Sequence, residues 1–108
     1  MVYTIEELKQ KITPIAHKHG LRAVYIFGSY ARNEATADSD IDVLIDREGS
    51  CIRSLFDMGG LHNELCESIG KEVDLVTIQA LAQDSTKERT PWFIDNIMKE
   101  RVAIYEKQ

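Results

Sequence analysis

Residues 21–27 read LRAVYIF and stop at Gly28. An almost unbroken apolar run of this length is the pattern of a β-strand covered on both faces, so the rest of the chain must supply cover for both sides of a sheet. Upstream, Thr4 and Glu7 form a capping box, and Ile5, Leu8, Ile12 and Ile15 recur at helical spacing until Gly20 stops the helix. Pro14 leaves the carbonyl of Gln10 without a donor, which predicts a kink or break near Thr13. Downstream, DIDVLI reads as a second strand, with Asp40, Asp42 and Leu44 on one face and Ile41, Val43 and Ile45 on the other. A helix over 52–69 follows, with Ile52, Leu55, Phe56, Leu65, Cys66 and Ile69 near one face and Gly70 as its stop. Gly59 and Gly60 in its middle predict either an interruption or a closely packed backbone. EVDLVTI is a third strand that sends Val73 and Leu75 one way and Asp74 and Val76 the other. Thr90 and Pro91 begin a late helix carrying Trp92, Ile94, Ile97 and Met98, and RVAIYE closes as a fourth strand.

With 108 residues, the chain has room for one modest core and not for a separate substrate-binding domain, so residues 1–108 are read as a single α/β domain. Hydrophobic residues at 44% and charged residues at 29% exclude a disordered chain. No stretch approaches a membrane span and MVYTIEELKQK lacks a signal-peptide core, which predicts a cytoplasmic protein. A net charge of -5 argues against gripping nucleic acid through its phosphates and suits a basic protein partner. Cys51 and Cys66 form no CxxC pair and are read as reduced thiols without function. His17, His19 and His62 fit no HExxH pattern, and His17 and His19 face different sides of their helix, so all three are read as surface or partly packed residues.

Asp40 and Asp42 are costly to place on a strand packed into a core, because burying an unpaired ion costs several kcal/mol. Two compensations are open. Asp40 caps the strand entrance while Asp42 pairs with an arginine such as Arg32 or Arg22, or both hold a divalent cation; Mg²⁺ takes oxygen ligands from one or two carboxylates together with substrate phosphates. The preceding residues favour the second. Gly28 allows a sharp turn after the strand, and residues 29–33 can start a short helix whose free N–H groups suit an anion. The stretch is no P-loop, since GxxxxGK[ST] is missing.

GSYARNEATADSDID resembles the G-S-x10-D-x-D motif of the DNA polymerase β-like nucleotidyltransferase superfamily, with Gly28, Ser29, Asp40 and Asp42 at its fixed positions. Four such positions match by chance on the order of once in a thousand chains of this length. Within the superfamily, YIFGSYAR, SDIDVLID, EVDLV and IMKERVAIYE are similar to the minimal nucleotidyltransferases, the MntA-type antitoxins paired with HEPN-domain toxins. The resemblance implies a small mixed sheet flanked by helices and AMP transfer from ATP to a tyrosine hydroxyl of a HEPN toxin. It also implies two Mg²⁺ ions held by Asp40 and Asp42, with Asp74 as the third carboxylate and general base. Gly28, Ser29, Arg32 and Ser39 are implied as nucleotide contacts, Arg32 either on phosphate or paired with a site carboxylate. Asn33 departs from the family's usual A-R-G, and asparagine tolerates a left-handed backbone better than most residues. The competing expectations are an antitoxin that neutralises by binding alone, and a transferase for a small molecule.

Overall fold

The computed structural model describes residues 2–79 and 97–107. Helix α1 spans Ile5–His19, β1 Ala23–Phe27, α2 Gly28–Ala31, β2 Ile41–Asp46, α3 Leu55–Ile69, β3 Val73–Thr77 and β4 Val102–Glu106. The sheet has the order β3-β2-β1-β4, with β2 and β3 parallel and the other pairs antiparallel. This is a small mixed sheet with helices packed on it, as expected.

The apolar run of β1 does split between two faces. Val24 and Ile26 join Ile41, Val43 and Ile45 of β2 in the main core, covered by Leu8, Ile12 and Ile15 of α1 and by Leu61, Leu65 and Ile69 of α3. Tyr25 and Phe27 face the other side, against Leu44, Ile97, Val76 and Ile78. The alternation read from DIDVLI and EVDLVTI is therefore the one the fold uses. The start of the late helix, with Thr90, Pro91, Trp92 and Ile94, lies outside the described residues; 97–100 are helical and Ile97 is buried.

Three expectations are corrected. Helix α1 runs unbroken through Pro14: the lost hydrogen bond is outweighed by burial of Leu8, Ile12, Ile15 and Ala16, the face that faces the sheet. Helix α3 starts at Leu55 rather than 52, because the Ser54 hydroxyl accepts from the Asp57 amide at 3.2 Å and the Asp57 carboxylate accepts from the Arg53 amide at 3.0 Å. Ile52 is buried ahead of the helix, whereas Leu55 and Phe56 are each 90% exposed. The third correction concerns Gly59 and Gly60, which neither interrupt α3 nor meet another backbone; a Cβ at either would find nothing within 4 Å. Gly59→Ala and Gly60→Ala are each expected to raise stability by about 0.5–1 kcal/mol, read as a higher urea midpoint at unchanged slope. A lower midpoint would mean that a neighbour fills that space. Among the described residues no helix is long and apolar enough to cross a membrane.

Candidate functional site

Pairing register brings the acidic residues together. Phe27 of β1 lies opposite Asp42 of β2, and Asp42 lies beside Asp74 of β3. Laterally paired residues point to the same side of a sheet, so the Asp42 and Asp74 side chains rise from one face on strands about 4.8 Å apart. Asp40 stands two residues before Asp42, on the approach to β2, and together with Asp74 lines a cavity of about 510 Å³. Met58, Gly59 and His62 of α3, which packs on the other face of the sheet, also line it.

The turn after β1 closes over this group. Gly28 has φ +72°, and a Cβ built there would lie 2.1 Å from Oδ2 of Asp42. Only glycine allows both the left-handed backbone and the close approach. Helix α2 begins at Gly28, leaving its first-turn amides without intrahelical partners, with half-buried Ser29 on that turn. The Glu34 amide donates to the Ser29 carbonyl at 2.9 Å and ties the end of the turn back to its start. Asn33 adopts φ +61°, the left-handed conformation that asparagine was expected to tolerate. Ser39 lies in the turn leading to Asp40, where its hydroxyl accepts from the Thr36 amide at 2.9 Å.

Among the described residues no arginine pairs with the carboxylates. Arg32 pairs with Glu100 at 3.1 Å and Glu34 at 3.4 Å; Arg22 pairs with Glu48 at 3.0 Å and Asp46 at 3.9 Å. Pairing of Arg32 with a site carboxylate is therefore corrected: these glutamates lie nearer and hold it at the surface. Among the described residues no ion pair joins an arginine to Asp40, Asp42 or Asp74. The consequence is electrostatic. Burial, then the charges of Asp74 and Asp40, push the Asp42 carboxyl up to about 6, with Arg32 opposing only weakly from a distance. Three carboxylates on one edge, one of them reluctant to ionise, form a hard oxygen donor set short of positive charge. Such a set fits Mg²⁺.

Two further residues line this cavity: Glu72, which the sequence reading did not single out, and His62, partly packed as expected. Glu72 immediately precedes β3, and the half-buried His62 has Nε2 at 2.8 Å from the Val73 carbonyl oxygen. A usable signal was the spacing of His62 and Cys66, which puts them one turn apart on a helix.

The sequence profile described as "Polymerase beta, Nucleotidyltransferase" matches residues 10–108. A Methanocaldococcus jannaschii protein named "Putative protein adenylyltransferase MJ0435" is 44% identical over 101 residues, covering 93% of this chain and 97% of its own. "Protein adenylyltransferase MntA" of Thermococcus cleftensis is 39% identical over 90 residues, 78% of this chain and 87% of that one. Among solved structures, one described as a toxin-antitoxin with AMP-PNP superposes with TM-score 0.68 at 18% identity, covering 93% of this chain and 74% of that one. Another, a tri-AMPylated Shewanella oneidensis HEPN toxin in complex with MNT antitoxin, gives TM-score 0.64 at 17% identity, covering 97% and 75%. At these identities the two structures establish the fold.

Proposed function

Because the chain belongs to the polymerase β nucleotidyltransferase family, we propose that it transfers AMP from ATP to a tyrosine hydroxyl of a HEPN-domain toxin and so acts as that toxin's antitoxin. The observation that carries the reading is the set of Asp40, Asp42 and Asp74 gathered where β2 and β3 begin, with no arginine ion-paired to them among the described residues and with the Gly28 turn against Asp42. The names of the relatives supply the acceptor class: a protein adenylyltransferase MntA at 39% identity and an AMPylated HEPN toxin beside an MNT chain of the same fold.

In this reading residues 1–108 work as one minimal domain. The first turn of α2 and the Ser29 hydroxyl hold the β and γ phosphates, orienting the α-phosphorus toward the carboxylate edge. Arg32 adds a charge-assisted contact to phosphate on leaving Glu34 and Glu100. Ser39 keeps the turn that aims Asp40 at the nucleotide. Asp40 and Asp42, joined by Asp74, would hold two Mg²⁺ ions, which when bound would lower the hydroxyl's pKa and neutralise charge developing on the phosphates. The acceptor oxygen forms its bond to the α-phosphorus as the bond to the α,β-bridging oxygen breaks, and pyrophosphate leaves in line. Asp74, on the outer strand and exposed to the cavity, takes the acceptor's proton. An AMP group beside an RNA-cleaving centre blocks it by bulk and by repelling phosphate, and a net charge of -5 favours docking on a basic RNase.

The test is the intact mass of a HEPN protein encoded beside this chain after incubation with the purified chain, ATP and Mg²⁺. One or more added AMP masses, absent with Asp40→Ala/Asp42→Ala, are expected. Neutralisation retained by both proteins without any mass gain would replace the proposal with an antitoxin that acts by binding.

A further inference from the structure

Three side chains given no part in nucleotidyl transfer meet where α3 leads into β3. His62 and Cys66 lie one helical turn apart, with Sγ of Cys66 3.6 Å from Nε2 of His62. Glu72, two residues beyond the Gly70 cap of α3, brings Oε1 to 3.7 Å from the same nitrogen. One donor atom from each of the three lies within 4.8 Å of the other two. A tetrahedral zinc ion with bonds of about 2.3 Å to sulfur and about 2.0–2.2 Å to nitrogen and oxygen requires about 3.5–3.7 Å between sulfur and nitrogen and about 3.3–3.5 Å between nitrogen and oxygen, so the first edge already has the required length and the second needs to close by only about 0.2 Å.

We propose that His62, Cys66 and Glu72 bind a thiophilic divalent cation of the zinc type, at a site separate from the carboxylates that serve nucleotidyl transfer. Nε2 of His62 also lies 2.8 Å from the Val73 carbonyl oxygen. That contact accounts for the imidazole alone, and leaves unexplained why a thiol and a carboxylate converge on the same nitrogen. On binding, the Sγ proton is released, the imidazole gives up its contact with Val73 and carries its proton on Nδ1, which frees Nε2 for the cation, and a water completes four-coordination. Thiolate and imidazole select zinc over magnesium, so the two kinds of site sort their ions by chemistry. His62 and Cys66 are half-buried and fixed by α3, while Glu72 is exposed. His62 and Glu72 also line the cavity shared with Asp40 and Asp74, which gives the ion an entry path. A bound ion ties α3 to the residue before β3, the strand that carries Asp74.

Cobalt(II) titration of the purified, metal-free chain is the test, because cobalt bound to thiolate gives a near-ultraviolet charge-transfer band. A saturable one-to-one band that zinc displaces is expected. Cys66→Ser should abolish the band, and His62→Gln and Glu72→Gln should each weaken zinc binding by at least about tenfold. Glu72→Gln alters an exposed side chain, so it keeps the test open if either α3 variant misfolds by circular dichroism. Cys51→Ser and Asp40→Ala/Asp42→Ala should retain the band. No band in the wild-type chain, a band that follows Cys51, or zinc binding that is lost with the aspartates and kept without Cys66 would each overturn the proposal.

Discussion

Asp42→Asn is expected to lower AMP transfer by at least about a thousandfold and at the same time to stabilise the metal-free protein at neutral pH. The loss follows from removing an anionic ligand for the Mg²⁺ ions that would neutralise charge on the reacting phosphate; a thousandfold corresponds to about 4 kcal/mol, the upper end of what one group of this kind contributes to the transition state. The gain follows from what the folded state does to that carboxyl. Its pKa stands at about 6 against an ordinary 3.8, chiefly through burial and then through Asp74 and Asp40. The folded chain therefore holds the proton more tightly than the unfolded chain. Stability from this group is fully present below about 3.8 and is lost as pH rises through about 6. Linkage sets an upper bound of about 3 kcal/mol, which solvent screening of a half-buried group reduces to about 1–2 kcal/mol. Thermal unfolding in chelator from pH 4 to 8 should show a wild-type midpoint that falls more steeply across this window than that of Asp42→Asn. Adding Mg²⁺ at pH 7 should raise the wild-type midpoint and leave the variant nearly unchanged. An active Asp42→Asn protein, or one less stable than wild type at pH 7 without metal, would remove Asp42 from the role assigned to it.

The same residues explain how much could be read in advance. Strand periodicity is local and strict, so LRAVYIF, DIDVLI and EVDLVTI disclosed which residues of each strand share a face, whereas the common face of Asp42 and Asp74 needed the pairing of β2 with β3. The capping box at Thr4 and Glu7 is equally local, and both of its bonds form, at 3.1 and 2.9 Å. What escaped depends on tertiary context. The cost of Pro14 is overridden by an apolar face whose worth is set by the sheet beneath it. Leu55 and Phe56 have the composition of core residues, yet the Ser54 cap phases α3 so that Leu61, Leu65 and Ile69 turn inward and these two outward. Arg32 was a reasonable partner for a neighbouring carboxylate until the fold brought up Glu100, 68 residues away. The junction of His62, Cys66 and Glu72 is of this second kind: a hairpin between helix and strand makes it, and sequence spacing reveals only its helical half.

Gly28→Ala is expected to separate catalysis from stability at the other side of the site. Alanine at φ +72° costs on the order of 1–2 kcal/mol of backbone strain. The new methyl would also sit 2.1 Å from Oδ2 and 3.0 Å from Cγ of Asp42. That contact is with the movable end of a side chain, so the folded state can relieve it by turning the carboxylate away. Relief is cheap in stability and expensive in function, since misplacing a reacting group by about 1 Å costs on the order of a hundredfold in rate. The variant should therefore remain folded with a midpoint lowered by a few degrees, while transfer falls by about a hundredfold or more. A double-mutant cycle isolates the cause. In an Asp42→Ala background the methyl meets no carboxylate, and Gly28→Ala should then cost only the backbone strain. Any excess loss in the wild-type background measures the cost of that relief; a Gly28→Ala protein with undiminished transfer would show that the methyl does not displace Asp42, and that Gly28 serves the turn alone.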